Sequence, residues 1–149
     1  MLKIAIGSDH AGLDLKEEIF KFLKAEGCYE VVDVGTNSHD SCNYPKFGAE
    51  VAKLVATRQC DYGIVVCSSG EGICMAANKV KGARCGIAYN NDVARLIRQH
   101  NDANVISFGA AYTTKEEAIE RINIFLNTEF EGGRHQTRVE MLSEIETRK

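Results

Sequence analysis

The segment from Cys67 to Gly72 places a thiol, two hydroxyl groups and two glycines directly after an apolar run. Glycines at 70 and 72 allow backbone N–H groups to converge, and a helix that begins there adds the positive end of its dipole. Such N–H groups bind an oxyanion or a phosphate, and they stabilise a neighbouring thiolate that can act as a base or nucleophile. The segment therefore predicts an anion site beside a reactive cysteine. An ordinary strand–helix turn with one more buried cysteine would also explain each feature taken alone.

This loop matches neither of two common nucleotide-phosphate motifs. No Gly-Lys-Ser/Thr follows it, as a P-loop requires, and the third glycine of a dinucleotide fingerprint is absent. The loop is therefore a weak indication of function by itself and needs support from other parts of the chain.

Two arginines near the C-terminus offer a second anion site. Arg134 and Arg138 are four residues apart, so they share one face of a helix that follows Gly132-Gly133. Two guanidinium groups beside free helix N–H groups suit a dianionic phosphate. The alternative is a solvated basic edge, or pairing of the arginines with Glu131 and Glu140.

Histidines complete the set of residues that could do chemistry. His10 follows Asp9 at the end of a strand, where a carboxylate could orient the imidazole. His100 lies at the end of a helix and is followed by Asn101. Each histidine could equally be a surface or capping residue.

The elements that must position these residues alternate along the chain. Apolar runs predict strands over 2–6, 31–34, 62–67, 84–89 and 104–108, and amphipathic stretches predict helices between them. The last helix, after Gly132-Gly133, carries Val139, Leu142 and Ile145 on one side. The pattern predicts an α/β fold: one doubly wound domain over residues 1–149, with a five-stranded parallel sheet, helices on both faces and a C-terminal helix. Ligands of such sheets bind beyond the carboxyl ends of the strands.

Composition excludes several classes of protein. The chain has 149 residues, a net charge of −3 and 44% hydrophobic residues, which is enough for one packed core and argues against disorder. The balance is slightly acidic and has no basic cluster, so nucleic acid is not an expected partner. No apolar run is long enough for a membrane span, and the charge at Lys3 comes too early for a signal peptide. We expect a soluble, cytoplasmic domain.

The cysteines agree with that location. There are six, with no C-x-x-C pair and no zinc-type Cys/His spacing, and disulfides would need a secreted context. We expect Cys28, Cys60, Cys74 and Cys85 to be small buried apolar residues. Cys42, in a polar loop, is left open.

Five segments, taken together, resemble ribose-5-phosphate isomerase type B, a family that also contains the subunits of galactose-6-phosphate isomerase. They are Gly-Ser-Asp-His-Ala-Gly (7–12), Cys-Ser-Ser-Gly-Glu-Gly-Ile (67–73), Ala-Ala-Asn-Lys (76–79), Arg-Gln-His-Asn-Asp-Ala-Asn-Val (98–105) and Glu-Gly-Gly-Arg-His-Gln-Thr-Arg-Val (131–139). The resemblance covers essentially the whole chain. It implies interconversion of ribose 5-phosphate and ribulose 5-phosphate through a cis-enediolate, without metal or cofactor. It also implies a Rossmann-like fold in a homodimer or homotetramer, with the site at the subunit interface.

The resemblance further implies a role for each matching residue. The catalytic set consists of the base Cys67, the ring-opening His100, the hydroxyl donor Ser69 and Asp9 beside the sugar. The implied substrate-binding set comprises His10, Arg134 and Arg138 on the phosphate, the loop residues Ser68, Gly70, Glu71 and Gly72 around the enediolate, Asn101 beside the sugar, and Tyr44 and His135 as neighbours of the site. These roles suit the chemistry, which needs a base that reaches two carbons, donors for an oxyanion and a grip on a remote phosphate.

Three positions depart from the family pattern. Ser68 adds a side chain where glycine is usual, and Ile73 stands where members without the cysteine carry a glutamate base. Cys67 is therefore the only base that the resemblance offers, and Glu71 is not that glutamate. Ala111 replaces an arginine found in many members, which would weaken phosphate binding or alter the sugar preference.

Other functions are also compatible with the sequence. The nearest is the same reaction on a hexose phosphate, allose 6-phosphate or galactose 6-phosphate, although retention of Cys67 favours ribose or allose substrates. A non-catalytic phosphate- or nucleotide-binding module would use the 67–72 loop and the arginines, but it would not need Cys67 and His100 together. A subunit of a hetero-oligomeric isomerase could lack the base, and the presence of Cys67 argues against that.

Overall fold

Five short strands pair side by side into one parallel sheet in the computed structural model, which describes residues 1–147. Every neighbouring pair is parallel, and the order across the sheet is β2-β1-β3-β5-β4. The strands are β1 (Leu2–Ser8), β2 (Tyr29–Gly35), β3 (Tyr62–Cys67), β4 (Cys85–Ile87) and β5 (Val105–Gly109). The predicted five-stranded parallel sheet is confirmed.

Six helices connect and follow the strands: α1 (Leu13–Glu26), α2 (Tyr44–Ala56), α3 (Glu71–Asn78), α4 (Asn91–Gln99), α5 (Lys115–Leu126) and α6 (Arg134–Glu146). Local signals set several of their starts. The Asn90 side chain accepts the N–H of Val93 at 2.8 Å, and Thr114 forms a reciprocal capping box with Glu117. None of the helices in the described part is long and apolar enough to cross a membrane.

Alternation along the strands divides the core between two faces of the sheet. On one face, Ile64 and Val66 of β3 pack with apolar residues of α1, α4 and α5. On the other face, Val65 and Cys67 of β3 pack with Phe47 of α2 and with α3. Helices therefore cover both faces, as a doubly wound sheet requires, and Cys67 faces the side of α2 and α3.

The edge strand β4 is shorter than the predicted run of 84–89. Arg84 donates its backbone N–H to the Asn104 side chain at 2.8 Å instead of to a neighbouring strand. At the other end, the chain turns away to begin α4, which leaves Tyr89 exposed. The strand β4 therefore pairs with one neighbour, β5, and only over Cys85–Ile87.

The last helix does not bury the apolar side that the sequence predicts. Val139 is buried, but Leu142 and Ile145 are 46% and 58% exposed. The helix is attached near its two ends: His135 is buried near its start, and the Glu146 carboxylate accepts the N–H of Gly82 at 3.1–3.2 Å. A stripe of apolar side chains is thus left on the surface of the chain.

The expectation for the cysteines is partly wrong. Cys60 and Cys74 are buried and Cys85 is half-buried, but Cys28 is exposed. Cys28 follows Gly27, whose left-handed backbone ends α1, so the thiol lies in the turn before β2 and not in the core. All six thiols are free.

Candidate active site

Cys67 lies at the carboxyl end of β3, where its buried sulfur meets the start of α3. The backbone N–H of Gly70 points at the thiol, with 3.2 Å between nitrogen and Sγ. Gly70 adopts a φ of +80°, a left-handed conformation that glycine takes without strain. The thiol therefore lies directly against a backbone donor of the loop that leads into α3.

Contacts with β5 hold the loop that follows Cys67. The Ser107 hydroxyl donates to the Gly70 carbonyl at 2.7 Å, and the N–H of Ala110 donates to the Cys67 carbonyl at 2.8 Å. Gly109 allows the close approach, because a Cβ there would lie 2.4 Å from the Ser69 carbonyl oxygen. Sequence reasoning missed Ser107. Its signal was a buried hydroxyl inside an otherwise apolar strand.

The remaining loop residues lie around this thiol. Ser68, Ser69 and Glu71 are exposed, and the Ser69 hydroxyl accepts the N–H of Glu71 at 3.2 Å in the first turn of α3. The ring of Tyr44 packs against Gly72, where a Cβ would come within 2.5 Å of a ring carbon. The structure thus brings together the residues of the 67–72 loop and the side chain of Tyr44.

Asp9 and His10 join this group from the end of β1. The N–H of Asp9 donates to the carbonyl of Val66 at 3.3 Å, which places Asp9 next to the strand that carries the thiol. The expectation that Asp9 orients His10 is wrong. The buried Asp9 carboxylate accepts the N–H of Gly12 at 3.0 Å, in the turn before α1.

The partner of His10 is Cys42, in the loop before α2. The backbone N–H of Cys42 donates to Nδ1 of His10 at 3.2 Å, and the two residues are 32 positions apart in the chain. Because Nδ1 accepts this bond, the neutral imidazole carries its proton on Nε2. His10 therefore presents an N–H donor, which is the form that a phosphate oxygen needs.

A second group forms around His100, the C-cap residue of α4. Its ring stacks on the ring of His135, with 4.2 Å between centroids and 12° between planes. His135 is buried, and its Nε2 lies 3.9 Å from a carboxylate oxygen of Glu131. The Glu131 N–H donates to the carbonyl of Gln99 at 3.1 Å, which ties the segment before α6 to the end of α4.

Two arginines fix the turn that carries His100 and Asn101. Arg98, buried at the end of α4, donates to the Asp102 carboxylate at 2.9 Å and to the Ala103 carbonyl at 2.7 Å. Arg84 donates to the other Asp102 carboxylate oxygen at 3.3 Å. Asp102 is thereby held in a left-handed conformation, with a φ of 47°. Sequence reasoning missed both arginines.

Arg134 and Arg138 are exposed on the first turns of α6, close to His135. The proposed pairing with nearby carboxylates is not what the structure shows. Glu131 is near His135, and Glu140 accepts a hydrogen bond from Gln136 at 3.0 Å. The two guanidinium groups therefore face solvent, where an anion can reach them.

Burial lowers the pKa of His135 below its ordinary value, and the nearby charges of His100 and Arg134 act in the same direction. The opposing contribution from Glu131 is smaller. His135 is thus kept neutral while it stacks on the neighbouring imidazole.

This shift predicts how stability depends on pH. The unfolded chain binds a proton at His135 as pH falls through about 6.5, whereas the folded chain binds it only at lower pH. The free energy of unfolding should therefore decrease below about pH 6.5. We expect urea unfolding at about pH 7.5 and about pH 5.5 to show a smaller loss in His135→Phe, which keeps an aromatic ring without the titrating group. An equal loss in both proteins would contradict this assignment.

The candidate residues lie in two groups at opposite ends of the strands, which we call the carboxyl edge and the amino edge of the sheet. Asp9, His10, Tyr44 and the 67–72 loop lie at the carboxyl edge. Because α4 runs back from the end of β4 to the start of β5, His100 and its neighbours lie at the amino edge. The five residues of β5 separate the two edges by roughly 16 Å. The amino-edge group contains His100, Asn101, Arg134, His135 and Arg138. One chain therefore does not bring Cys67 and His100 together.

The amino-edge group also contains three side chains of metal-ligating types. The ligand atoms of His100, Glu131 and His135 all lie within 4.8 Å of one another. The two imidazole planes are nearly parallel, so their in-plane lone pairs do not converge on one ion. The arrangement fits a stacked pair better than a metal site.

Comparison with known proteins shows which family the chain resembles. The model of the Ribose/Galactose Isomerase family matches residues 4–142. Ribose-5-phosphate isomerase B of Escherichia coli (strain K12) is 44% identical over 149 residues, covering 100% of this chain and 99% of the relative. The corresponding enzyme of Mycobacterium tuberculosis (strain H37Rv) is 37% identical over 97% of this chain and 90% of its own.

Solved structures agree with the sequences. Ribose-5-phosphate isomerase B of Clostridium thermocellum superimposes with a TM-score of 0.95 at 48% identity, over 97% of each chain. The enzyme of Mycoplasma genitalium, solved with bound ribulose-5-phosphate, gives a TM-score of 0.93 at 41% identity, over 99% of this chain and 97% of that one.

Proposed function

The chain belongs to the ribose/galactose isomerase family, and from that premise we propose that it interconverts ribose 5-phosphate and ribulose 5-phosphate. The observation that carries the proposal is the Gly70 backbone nitrogen, which lies 3.2 Å from the Cys67 sulfur at the carboxyl edge of the sheet. That contact fixes the thiol beside exposed hydrogen-bond donors, which is the arrangement that proton abstraction next to a carbonyl requires.

The reaction moves one proton between two carbons. In open-chain ribose 5-phosphate, the Cys67 thiolate removes the proton from C2 and a cis-enediolate forms. The thiol then returns the proton to C1, which leaves the carbonyl at C2. One base serves both carbons because they are adjacent, so no second base is needed on this face of the sugar.

The enediolate carries negative charge on oxygen, and the loop supplies its donors. Backbone N–H groups at the start of α3 face this side, and the Ser69 hydroxyl can donate because it is exposed. The Ser107 bond to the Gly70 carbonyl keeps the loop in place. The donors are therefore fixed before the charge develops.

A second copy of the chain completes the site in this proposal. The carboxyl-edge group holds the base, and the amino-edge group holds His100 for ring opening and the two arginines for the phosphate. The exposed apolar stripe of α6, formed by Met141, Leu142 and Ile145, supports an interface between copies, because such a stripe on a small protein is normally covered. We propose a homodimer or homotetramer in which each site takes one group from each of two chains.

The enzyme in this proposal works in the cytoplasm with groups from its own chains and no added cofactor. Its base acts only as a reduced thiol, and all six cysteines are free. Asp9 and His10 of one chain, with Asn101 and His135 of another, then surround the sugar.

A side-by-side assay tests the function. The purified protein is given ribose 5-phosphate, allose 6-phosphate and galactose 6-phosphate, and kcat/KM is measured for each. We expect ribose 5-phosphate to give the highest value. Turnover of none of the three would overturn the proposal, and a preference for a hexose phosphate would move the substrate to the neighbouring class. Ala111, which is exposed next to the loop, stands where many family members carry an arginine. The assay therefore also measures the sugar preference of a protein without that arginine.

Removing one phosphate ligand should change substrate binding more than chemistry. We expect Arg138→Ala to raise KM for ribose 5-phosphate by about tenfold or more, since a hydrogen bond to a charged group contributes about 1.5–3 kcal/mol. The kcat should change less, and free ribose should be affected little. Arg95→Ala, which removes an exposed arginine paired with Asp92, is the matched control. Equal effects on phosphorylated and free sugars would argue against a phosphate contact.

A further inference from the structure

Cys74 and Cys85 form a pair of thiols outside the residues that the proposed reaction uses. Cys74 lies in α3 and Cys85 begins β4, and the Cys74 sulfur is 3.5 Å from the Cys85 carbonyl oxygen. Asn78 fixes the pair. Its amide nitrogen lies 3.6 Å from the Cys74 sulfur and donates to the Cys85 carbonyl at 2.9 Å, and its amide oxygen accepts the Cys85 N–H at 2.8 Å. The two side chains are close enough for each thiol to change the pKa of the other.

A crevice gives small molecules access to this pair. It has a volume of about 620 Å³ and opens between α3, the edge strand β4 and α4. Both thiols line it, together with Ser69 and Glu71 from the 67–72 loop. Tyr89, another lining residue, is 70% exposed, so the crevice is open to solvent.

The two thiols differ in their readiness to ionise. The contact with Cys85 lowers the pKa of Cys74. The same contact, together with burial, raises the pKa of Cys85 well above its ordinary value. Cys74 is therefore the thiol that attacks, and Cys85 is the thiol that keeps its proton until a second step.

We propose that Cys74 and Cys85 are a modification site, at which a small disulfide of the glutathione type oxidises the pair to an intramolecular disulfide. The Cys74 thiolate attacks one sulfur of the small disulfide, whose S–S bond breaks and releases one thiolate. That thiolate takes the proton of Cys85. The Cys85 sulfur then displaces the second small thiol from Cys74. Two protein thiols are oxidised, and one small disulfide is reduced to two thiols.

The bridge would act on the catalytic cysteine through one helical turn. The N–H of Cys74 donates to the Gly70 carbonyl at 3.3 Å, and the N–H of Gly70 donates to the Cys67 sulfur at 3.2 Å. A disulfide draws two sulfurs to about 2.05 Å, so it moves the first turn of α3 toward β4. If the proposed function holds, the displaced Gly70 donor lowers isomerase activity, on the order of 100-fold for a shift near 1 Å.

Thiol mapping tests the site without relying on activity. The wild-type protein and Cys67→Ser are incubated with glutathione disulfide, remaining thiols are alkylated, and tryptic peptides are identified by mass spectrometry. We expect a bridge between peptides 59–79 and 85–95 in both proteins, with Cys74 as the linked residue of the first. The matched controls Cys74→Ser and Cys85→Ser should lack the bridge. Alkylation of both thiols in the wild type after this treatment would overturn the proposal.

Activity then tests the coupling. Oxidised wild type should lose isomerase activity and regain it with dithiothreitol, while Cys74→Ser should keep more activity through the same treatment. A bridge that forms without any change in activity would overturn the coupling to Cys67. A bridge in a protein that isomerises no sugar phosphate would leave the thiol site standing and would remove the proposed function instead.

Discussion

Replacing Cys67 by serine is expected to lower kcat for ribose 5-phosphate by about 10³-fold, within the range that general acid–base groups contribute. Serine keeps the shape and the hydrogen bond from the Gly70 N–H. Its hydroxyl does not ionise near neutral pH, so no base remains to take the C2 proton. The folded structure and the binding of inorganic phosphate should be unchanged, as measured by circular dichroism and calorimetry.

Hydrogen exchange separates proton transfer from ring opening. With ribulose 5-phosphate in deuterated water, Cys67→Ser should incorporate no deuterium at C1, whereas His100→Ala should still incorporate it because ribulose 5-phosphate is acyclic. Cys28→Ser, which changes an exposed thiol, should behave as wild type. Turnover by Cys67→Ser at the wild-type rate would remove the thiolate from the mechanism.

Mixing two inactive variants should restore activity if each site is built from two chains. Cys67→Ser and His100→Ala each lose one group, and a mixed dimer contains one intact site and one doubly substituted site. When equal amounts associate at random, half of the dimers are mixed, so activity should rise to about a quarter of wild type. The measurement is kcat per chain after co-expression of two differently tagged variants.

The matched control uses two variants from the same edge of the sheet. Cys67→Ser and His10→Ala both alter the carboxyl-edge group, so their mixed dimers contain no intact site and activity should stay at the level of the parents. If the Cys67→Ser and His100→Ala mixture behaves like this control, base and histidine act from the same chain. In that case the two-chain site is wrong.

The elements of the fold were predictable because their signals are local. The run 62–67 is apolar at every side chain but one tyrosine, and it became β3 with those boundaries. Thr114 and Glu117 cap α5 through contacts only three residues apart. The edge strand β4 was predicted too long, because its start depends on Asn104, 20 residues from Arg84 in the chain, and its end depends on the turn into α4. Periodicity correctly placed the apolar residues of α6 on one side of the helix, but it does not say which surface covers them.

Much of the candidate site was also predictable, although the assigned roles stay predictions. The loop from Cys67 to Gly72 is contiguous in sequence, so a strand, a turn and a helix start fix its geometry. The partners of these residues were not predictable. His10 is set by Cys42, and Gly70 by Ser107, each through a bond that joins distant parts of the chain. For Asp9 the error is the opposite one. Adjacency in sequence suggested a contact with His10, but the Asp9 carboxylate accepts the N–H of Gly12 in the turn before α1 instead.

The sequence by itself determined the sheet, the thiol loop and the kinds of side chain available for chemistry, because periodicity, caps and glycine positions act within a few residues. Only the tertiary structure decided where those side chains meet. The crossover of α4 sends His100 to the edge opposite Cys67, and the return of α6 stacks His135 on His100, 35 positions away in the chain. Such contacts depend on how whole elements pack, and local patterns carry no record of that packing.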